Sequence, residues 1–354
     1  MGEEAERWNP KNKHTLIDEI SDRLINGDLP AKVQAAREIR SMIRNRSSSG
    51  KLRAKFAAAG VIQPLVLMLC SQHHDAREAS LLALLNLASR NERNKEQIVT
   101  CGAIPPLVKL LNFQTVSNLR ELATAAILTL SAAPNNKQTI SKSGAIPLLI
   151  QILSCGSIQG RVDAVTALHN LLTSNEELTI VLDATAALPL INLLKECKKH
   201  SNFADKTTAL IEIISKSHEG ILAITKAEDG ILTLVETIEE GSLVSTQHAV
   251  SVLLELCMSS RSKYRELILN EGAIPGLLRL TVDGTHEAQN KARLLLDLLR
   301  DSTPEKRLGS SVLEKMVHEI AAQVDGSEKT VETAKILLQD MVQRSMNMAS
   351  SCTS

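Results

Sequence analysis

Gly102-Ala-Ile-Pro-Pro-Leu107 returns five more times along this chain. The copies are Gly60-Val-Ile-Gln-Pro-Leu65, Gly144-Ala-Ile-Pro-Leu-Leu149, Ala186-Ala-Leu-Pro-Leu-Ile191, Gly230-Ile-Leu-Thr-Leu-Val235 and Gly272-Ala-Ile-Pro-Gly-Leu277. Their first residues step by 42, 42, 42, 44 and 42. Six of the ten prolines (Pro64, Pro105, Pro106, Pro147, Pro189 and Pro275) fall in this phase, so the period is a structural unit. Glycine just past a helix end can take the left-handed conformation that closes the helix. Proline two or three residues later is tolerated only in a first helical turn, where its missing N–H costs nothing. Each copy therefore reads as a corner between two short helices.

A longer helix follows each corner. Arg77–Ala88, Arg120–Ser131 and Arg161–Leu172 share a pattern in which small residues (Ala79, Ala83, Ala123, Ala126, Ala164, Ala167) alternate with Leu or Ile at helical spacing. Asn94-Lys95 and Asn136-Lys137, eight residues before the next corner, open the short first helix. Three helices in ~42 residues match the armadillo period of about 40–47.

Resemblance adds to that arithmetic. The G-A-I-P phase and the A-L-x-N-L signature at Ala83–Leu87 and Ala167–Leu171 resemble armadillo repeats. Two further stretches, Lys32–Arg40 and Val312–Gly326, are similar to the armadillo array of plant U-box proteins and their relatives without a U-box. The resemblance spans roughly residues 30–345. It implies an all-α, right-handed α-solenoid of about seven to eight repeats. The expected organisation is a disordered N-terminus at 1–12 and an N-terminal cap with an irregular first repeat at 13–59, in which Thr15–Asn26 forms a helix. Armadillo repeats follow at 60–303, capping helices at 304–345 and a disordered tail at 346–354. Some thirty residues precede the first repeat, too few for a U-box, so no ligase activity of its own is expected.

Composition narrows the function. The 354 residues carry 40 Lys plus Arg against 40 Asp plus Glu and only 1% aromatics. A duplex binder needs a basic excess and a single-strand binder needs stacking rings, so nucleic acid is not an expected partner. No apolar run reaches the ~20 residues of a membrane span. The six cysteines are far apart with no C-x-x-C, which suggests neither disulfides nor zinc and a reducing, cytoplasmic or nuclear setting. Gly50-Lys51 lacks the rest of a phosphate-binding loop, and the His-Glu pairs at 218, 286 and 318 lack the second histidine of H-E-x-x-H. Cys70 with His73 and His74 is half a metal site without a second half, and His169 reads as a packed core histidine. The expectation is a non-enzyme, acting as a monomer, with no catalytic residue, cofactor or metal.

In armadillo proteins the third helices line a concave groove, and the Asn of A-L-x-N-L holds the backbone of an extended partner. Carried over, this implies a partner-binding row of Asn86, Thr129, Asn170, Glu212, Glu255 and Asp297. Asp163, Asp205 and Thr208 are placed in the same groove, with Arg293 diluting the acidity. Carboxylates in its C-terminal half imply a preference there for a basic segment. Import adaptors place Trp four residues before the Asn. Leu82 and Thr166 stand there instead, which argues against a receptor for nuclear-localisation signals. Arg37, Arg40 and Arg44 recur on one helical face, either as a basic patch or as the solvated side of a capping repeat.

Overall fold

The computed structural model describes residues 10–44, 49–112, 116–173 and 184–300. Residues 1–298 form one compact unit and 299–354 a second. The first unit holds nearly everything described. Among the described residues there are nineteen α-helices, two 3-10 turns and no strand.

Helices α1 (Pro10–Asn26) and α2 (Leu29–Arg44) come first. The first begins inside the segment expected to lack structure, because Pro10 suits a helix start. Three helices then repeat as short, medium and long. The first set is α3 (Ser49–Ala58), α4 (Ile62–Met68) and α5 (His74–Ala88). The second is α6 (Glu92–Thr100), α7 (Ile104–Leu111) and α8 (Ser117–Ser131). In the third, a 3-10 turn leads into α9 (Lys137–Ser141), followed by α10 (Ala145–Cys155) and α11 (Ile158–Leu172). The fourth shows α12 (Ala187–Glu196) and α13 (Asn202–Ser215). The fifth is α14 (His218–Lys226), α15 (Gly230–Glu240) and α16 (Leu243–Ser259). The sixth is α17 (Arg261–Asn270), α18 (Ala273–Asp283) and α19 (His286–Leu299). The capping helices and tail expected at 304–354 lie outside the described residues.

Gly60, Gly102, Gly144 and Gly272 turn the corners with φ of 81°, 85°, 83° and 75°. The fifth corner differs from the sequence reading by one residue. Asp229, at φ 55°, holds the left-handed position, and Gly230 is the first residue of α15. Aspartate tolerates this conformation better than most residues, and it pairs with Lys195 of α12 at 2.5 Å. Glycine is still required next to it. A Cβ on Gly230 would lie 2.2 Å from the Ile224 carbonyl oxygen. With Asp229 as the corner, the residue five positions on is Leu65, Leu107, Leu149, Ile191, Leu234 or Leu277 in successive repeats. None of them is more than 1% exposed.

The long helices stack in order, α2 on α5, α5 on α8, α8 on α11, α11 on α13 and α13 on α16. Small residues at the same turn (Ser80, Ala123, Ala164, Thr207, Ala249 and Ala292) are fully buried and let the backbones approach. Asn94 and Asn136 do more than open a helix. Asn94 is buried and donates to the Leu87 and Arg53 carbonyl oxygens at 2.9 and 3.3 Å. Asn136 does the same to Leu130 and Lys95, each at 3.1 Å. Each amide thus ties the end of one third helix to the first helix of that helix's own repeat. Leu52, Ile221 and Tyr264 occupy the corresponding place elsewhere and are buried without an amide.

Leu87 is completely buried. Leu87→Ala is expected to cost ~2–5 kcal/mol in urea unfolding. Gly230→Ala is expected to cost ~1–3 kcal/mol through its clash with the α14 carbonyl. An unaltered midpoint for Gly230→Ala would contradict the corner assigned to Asp229.

Candidate partner-binding groove

A row of equivalent side chains needs a register that does not depend on their polarity. The buried aliphatic residue near the end of each third helix supplies it: Leu87, Leu130, Leu171, Ile214, Leu256 and Leu299, none above 2% exposed. The residue before each of these is half-buried. These residues are Asn86, Thr129, Asn170, Ile213, Glu255 and Leu298.

Asn86, Thr129, Asn170 and Glu255 stand in this register, while Glu212 and Asp297 stand one residue before it. Glu212 and Asp297 are neighbours of the row, replaced in it by Ile213 and Leu298. The steps between these buried residues are 43, 41, 43, 42 and 43, so counting 42 from Asn170 or from Glu255 lands one residue short of the register. Thr208, also expected in the groove, is fully buried and donates to the Ala204 carbonyl oxygen at 2.8 Å.

The N-terminal half of the row is polar and held in place. Asn86 Nδ2 donates to the Leu82 carbonyl oxygen at 2.7 Å, and Thr129 Oγ1 to that of Ala125 at 2.8 Å. Asn170 Nδ2 reaches Ser131 Oγ, on the neighbouring helix, at 3.2 Å. Each contact fixes a rotamer. The Asn86 Oδ1 acceptor and second N–H have no partner among the described residues. An amide offers both donor and acceptor, as recognition of an extended backbone requires.

The C-terminal half is cross-braced. Glu212 Oε2 lies 2.5 Å from His248 Nδ1, and its other oxygen lies 3.7 Å from Lys291 Nζ. Lys291 donates to Ser251 Oγ at 2.8 Å and to Glu287 at 2.5 Å. Gln247 Nε2 donates to Glu287 at 2.8 Å and its Oε1 accepts from Thr285 at 2.6 Å. This polar mesh joins α13, α16 and α19. Burial pushes the Glu212 carboxyl up, but the His248 hydrogen bond and the charges of His248 and Lys291 outweigh it, leaving the pKa below the usual glutamate value. The acidic, sparsely compensated surface expected from Glu212, Glu255 and Asp297 is not formed, since Glu212 is already paired.

Other candidates resolve simply. His169 is half-buried, its Nδ1 has no partner among the described residues, and burial holds its pKa below the usual histidine value. Among the described residues no group of three or more His, Cys, Asp or Glu could hold a metal ion. Burial pushes the Cys257 thiol up to about 11, so it acts as a small apolar filler. Arg37 is exposed and meets Asp75 at 3.4 Å, Arg40 is half-buried and Arg44 is exposed. No helix among the described residues is long and apolar enough to cross a membrane.

The Glu212 pairing makes a pH prediction. A carboxyl with a folded pKa below its unfolded value of ~4.3 stabilises the fold above that pH and ceases to do so as pH falls through the folded pKa. Glu212→Gln is expected to lower the urea midpoint at pH 7 and to shrink the loss between about pH 5 and 3. Parallel pH profiles for the two proteins would contradict the pairing.

Comparison with known proteins agrees with this geometry. Residues 150–320 match the family described as the plant U-box protein ARM repeat region, and residues 91–132 match the armadillo/β-catenin-like repeat. The second match runs from the Asn91 cap of α6 to the Ala132 cap of α8, one structural triplet. The chain is 35% identical over 71 residues to U-box domain-containing protein 45 of Arabidopsis thaliana, a stretch that covers 20% of this chain and 9% of that protein. An engineered protein of known structure superposes with a TM-score of 0.63 at 21% identity, covering 90% of this chain and 76% of its own. A chain from a study of a phosphorylation switch between cadherin and β-catenin gives 0.67 at 16% identity, covering 80% of this chain and 53% of its own. These structural likenesses concern the fold. The chain is an all-α armadillo-repeat protein whose array resembles the repeat region of plant U-box proteins.

Proposed function

We propose that this array is a non-catalytic scaffold that holds an extended segment of a partner protein against its third-helix face, in a plant signalling or ubiquitin-pathway setting. One observation carries the reading. Asn86, Thr129 and Asn170 stand in one register on successive helices, half-buried and rotamer-fixed. Their spacing offers one fixed polar anchor per repeat, which suits a linear ligand. A preference for basic segments at the C-terminal end loses its support with the internal pairing of Glu212.

The match of residues 150–320 to the repeat region of plant U-box proteins favours a second reading, a substrate-docking component of a U-box-type ligase. Purified chain incubated with ubiquitin and its activating and conjugating enzymes separates the two. The scaffold reading expects no conjugates, and autoubiquitination would overturn it.

The groove itself is tested with a partner recovered from plant extract and titrated as purified protein. Asn86→Ala combined with Asn170→Ala is expected to weaken binding about tenfold or more. Each change alone should cost under ~1 kcal/mol of stability. Unchanged affinity in the double variant would rule out the amide row as the binding surface.

A further inference from the structure

A residue pair equivalent to Glu212 and His248, one repeat earlier, contains no anion. Glu212 lies two residues before the buried Ile214 of α13, and His248 lies eight before the buried Leu256 of α16. The same two places on α11 and α13, counted from Leu171 and Ile214, hold His169 and Lys206. Helix α11 packs on α13 as α13 packs on α16. The register that brings a carboxylate to an imidazole between α13 and α16 therefore brings an imidazole to an ammonium group between α11 and α13.

Among the described residues nothing neutralises this seam. Lys206 is half-buried and has neither a hydrogen bond nor an ion pair. His169 is half-buried too, and its Nδ1 is enclosed without a partner. Burial holds the His169 pKa below its usual value, and Lys206, His248 and Lys137 push it the same way. All three are cationic or can become so. The carboxylates carried by α11 and α13 are engaged elsewhere. Asp163 accepts from Gln159 at 2.8 Å and its charged neighbour is Glu121 on α8. Asp205 accepts from Ser242 at 2.5 Å, and Glu212 is held by His248 and Lys291. Asn170, beside His169, belongs to the polar row and donates to Ser131 at 3.2 Å. A partner lying along that row passes directly over the cationic seam.

We propose that the seam between His169 and Lys206 receives an Asp or Glu carboxylate of the extended partner segment held along Asn86, Thr129 and Asn170. This deepens the groove reading and rests on it. Lys206 supplies a fixed positive charge there, and His169 adds a ring N–H. Hydrogen bonds of this charge-assisted kind are shorter and stronger than neutral ones. A carboxylate beside the imidazole also favours its protonated form, so association takes up a proton where free His169 is neutral. The partner's carboxylate, with a pKa of about 4, stays ionised down to about pH 5.5. Affinity therefore rises as pH falls from about 7.5 to 5.5.

Two experiments test this, and the first needs no ligand. Lys206→Glu places a carboxylate at the seam, and the His169 pKa, followed by NMR, is expected to rise by about one pH unit or more. An unaltered value would show that the two residues do not meet, which overturns the proposal. The second selects a displayed library of random twelve-residue peptides on the full chain at low salt. Enriched peptides are expected to be acidic. The best of them, synthesised and titrated, should bind Lys206→Gln about three- to tenfold more weakly, a loss that shrinks in ~0.5 M salt. It should also bind more tightly at pH 6 than at pH 7.5, and His169→Gln should abolish that difference. Thermal midpoints of Lys206→Gln should not fall, since no internal contact is removed, which separates docking from folding. Enrichment of neutral or basic peptides, no enrichment, or unchanged affinity for Lys206→Gln would overturn the inference. Glu176, Glu177 and Asp183 lie outside the described residues. If neutralising them lowers the His169 pKa, the anion comes from this chain itself and the inference falls. If Asn86→Ala with Asn170→Ala abolishes peptide binding while Lys206→Gln leaves it intact, the groove reading survives and this inference falls. If neither change matters, both fall.

Discussion

Among the described residues the core runs unbroken from repeat to repeat. Leu87, Leu130, Leu171, Ile214 and Leu256 are buried on long helices that pack both on the shorter helices of their own repeats and on the long helices beside them, and the small residues at Ser80, Ala123, Ala164 and Ala249 let those helices come close. Stability therefore belongs to interfaces between repeats, as in any quasi-one-dimensional array. The corners serve this burial. A left-handed residue turns the chain within one step, so the helix that follows drops its Leu or Ile straight into the shared core.

That dependence leaves the third-helix surface free to vary. Its inner residues must be small or aliphatic, but those facing outward carry no packing duty, and their chemistry changes along the array. At Asn86, Thr129 and Asn170 the face is neutral and polar. Around Glu212, His248 and Lys291 the groups are consumed by one another. Such a mesh costs little to hold on a partly exposed face, and it joins three successive helices. The buried amides of Asn94 and Asn136 act differently, since each satisfies backbone carbonyls that a helix end leaves open.

Much of this was legible in the sequence because it is periodic. Proline and glycine have few permitted backbone settings, so six copies of one phase located the corners, and the Leu/Ala pattern located the long helices. The binding row was less legible. A one-residue slip moves an exposed residue about 100° around its helix, and polar residues on a solvated face carry no signal against such a slip. Glu212 and Asp297 stand one step from the register for that reason. The signal that would have corrected them was apolar, the invariant place of a buried aliphatic one step later.

Sequence alone determined the helical class, the repeat length, the positions of the corners to within one residue, and the lack of any recognisable catalytic motif. Those depend on local backbone preferences and on hydrophobic periodicity, both written along the chain. Tertiary structure decided which residue of each corner is left-handed and which carboxylates are already paired. These depend on distances between residues some 36 to 43 positions apart, such as Glu212 to His248, and no local pattern encodes whether two such groups meet.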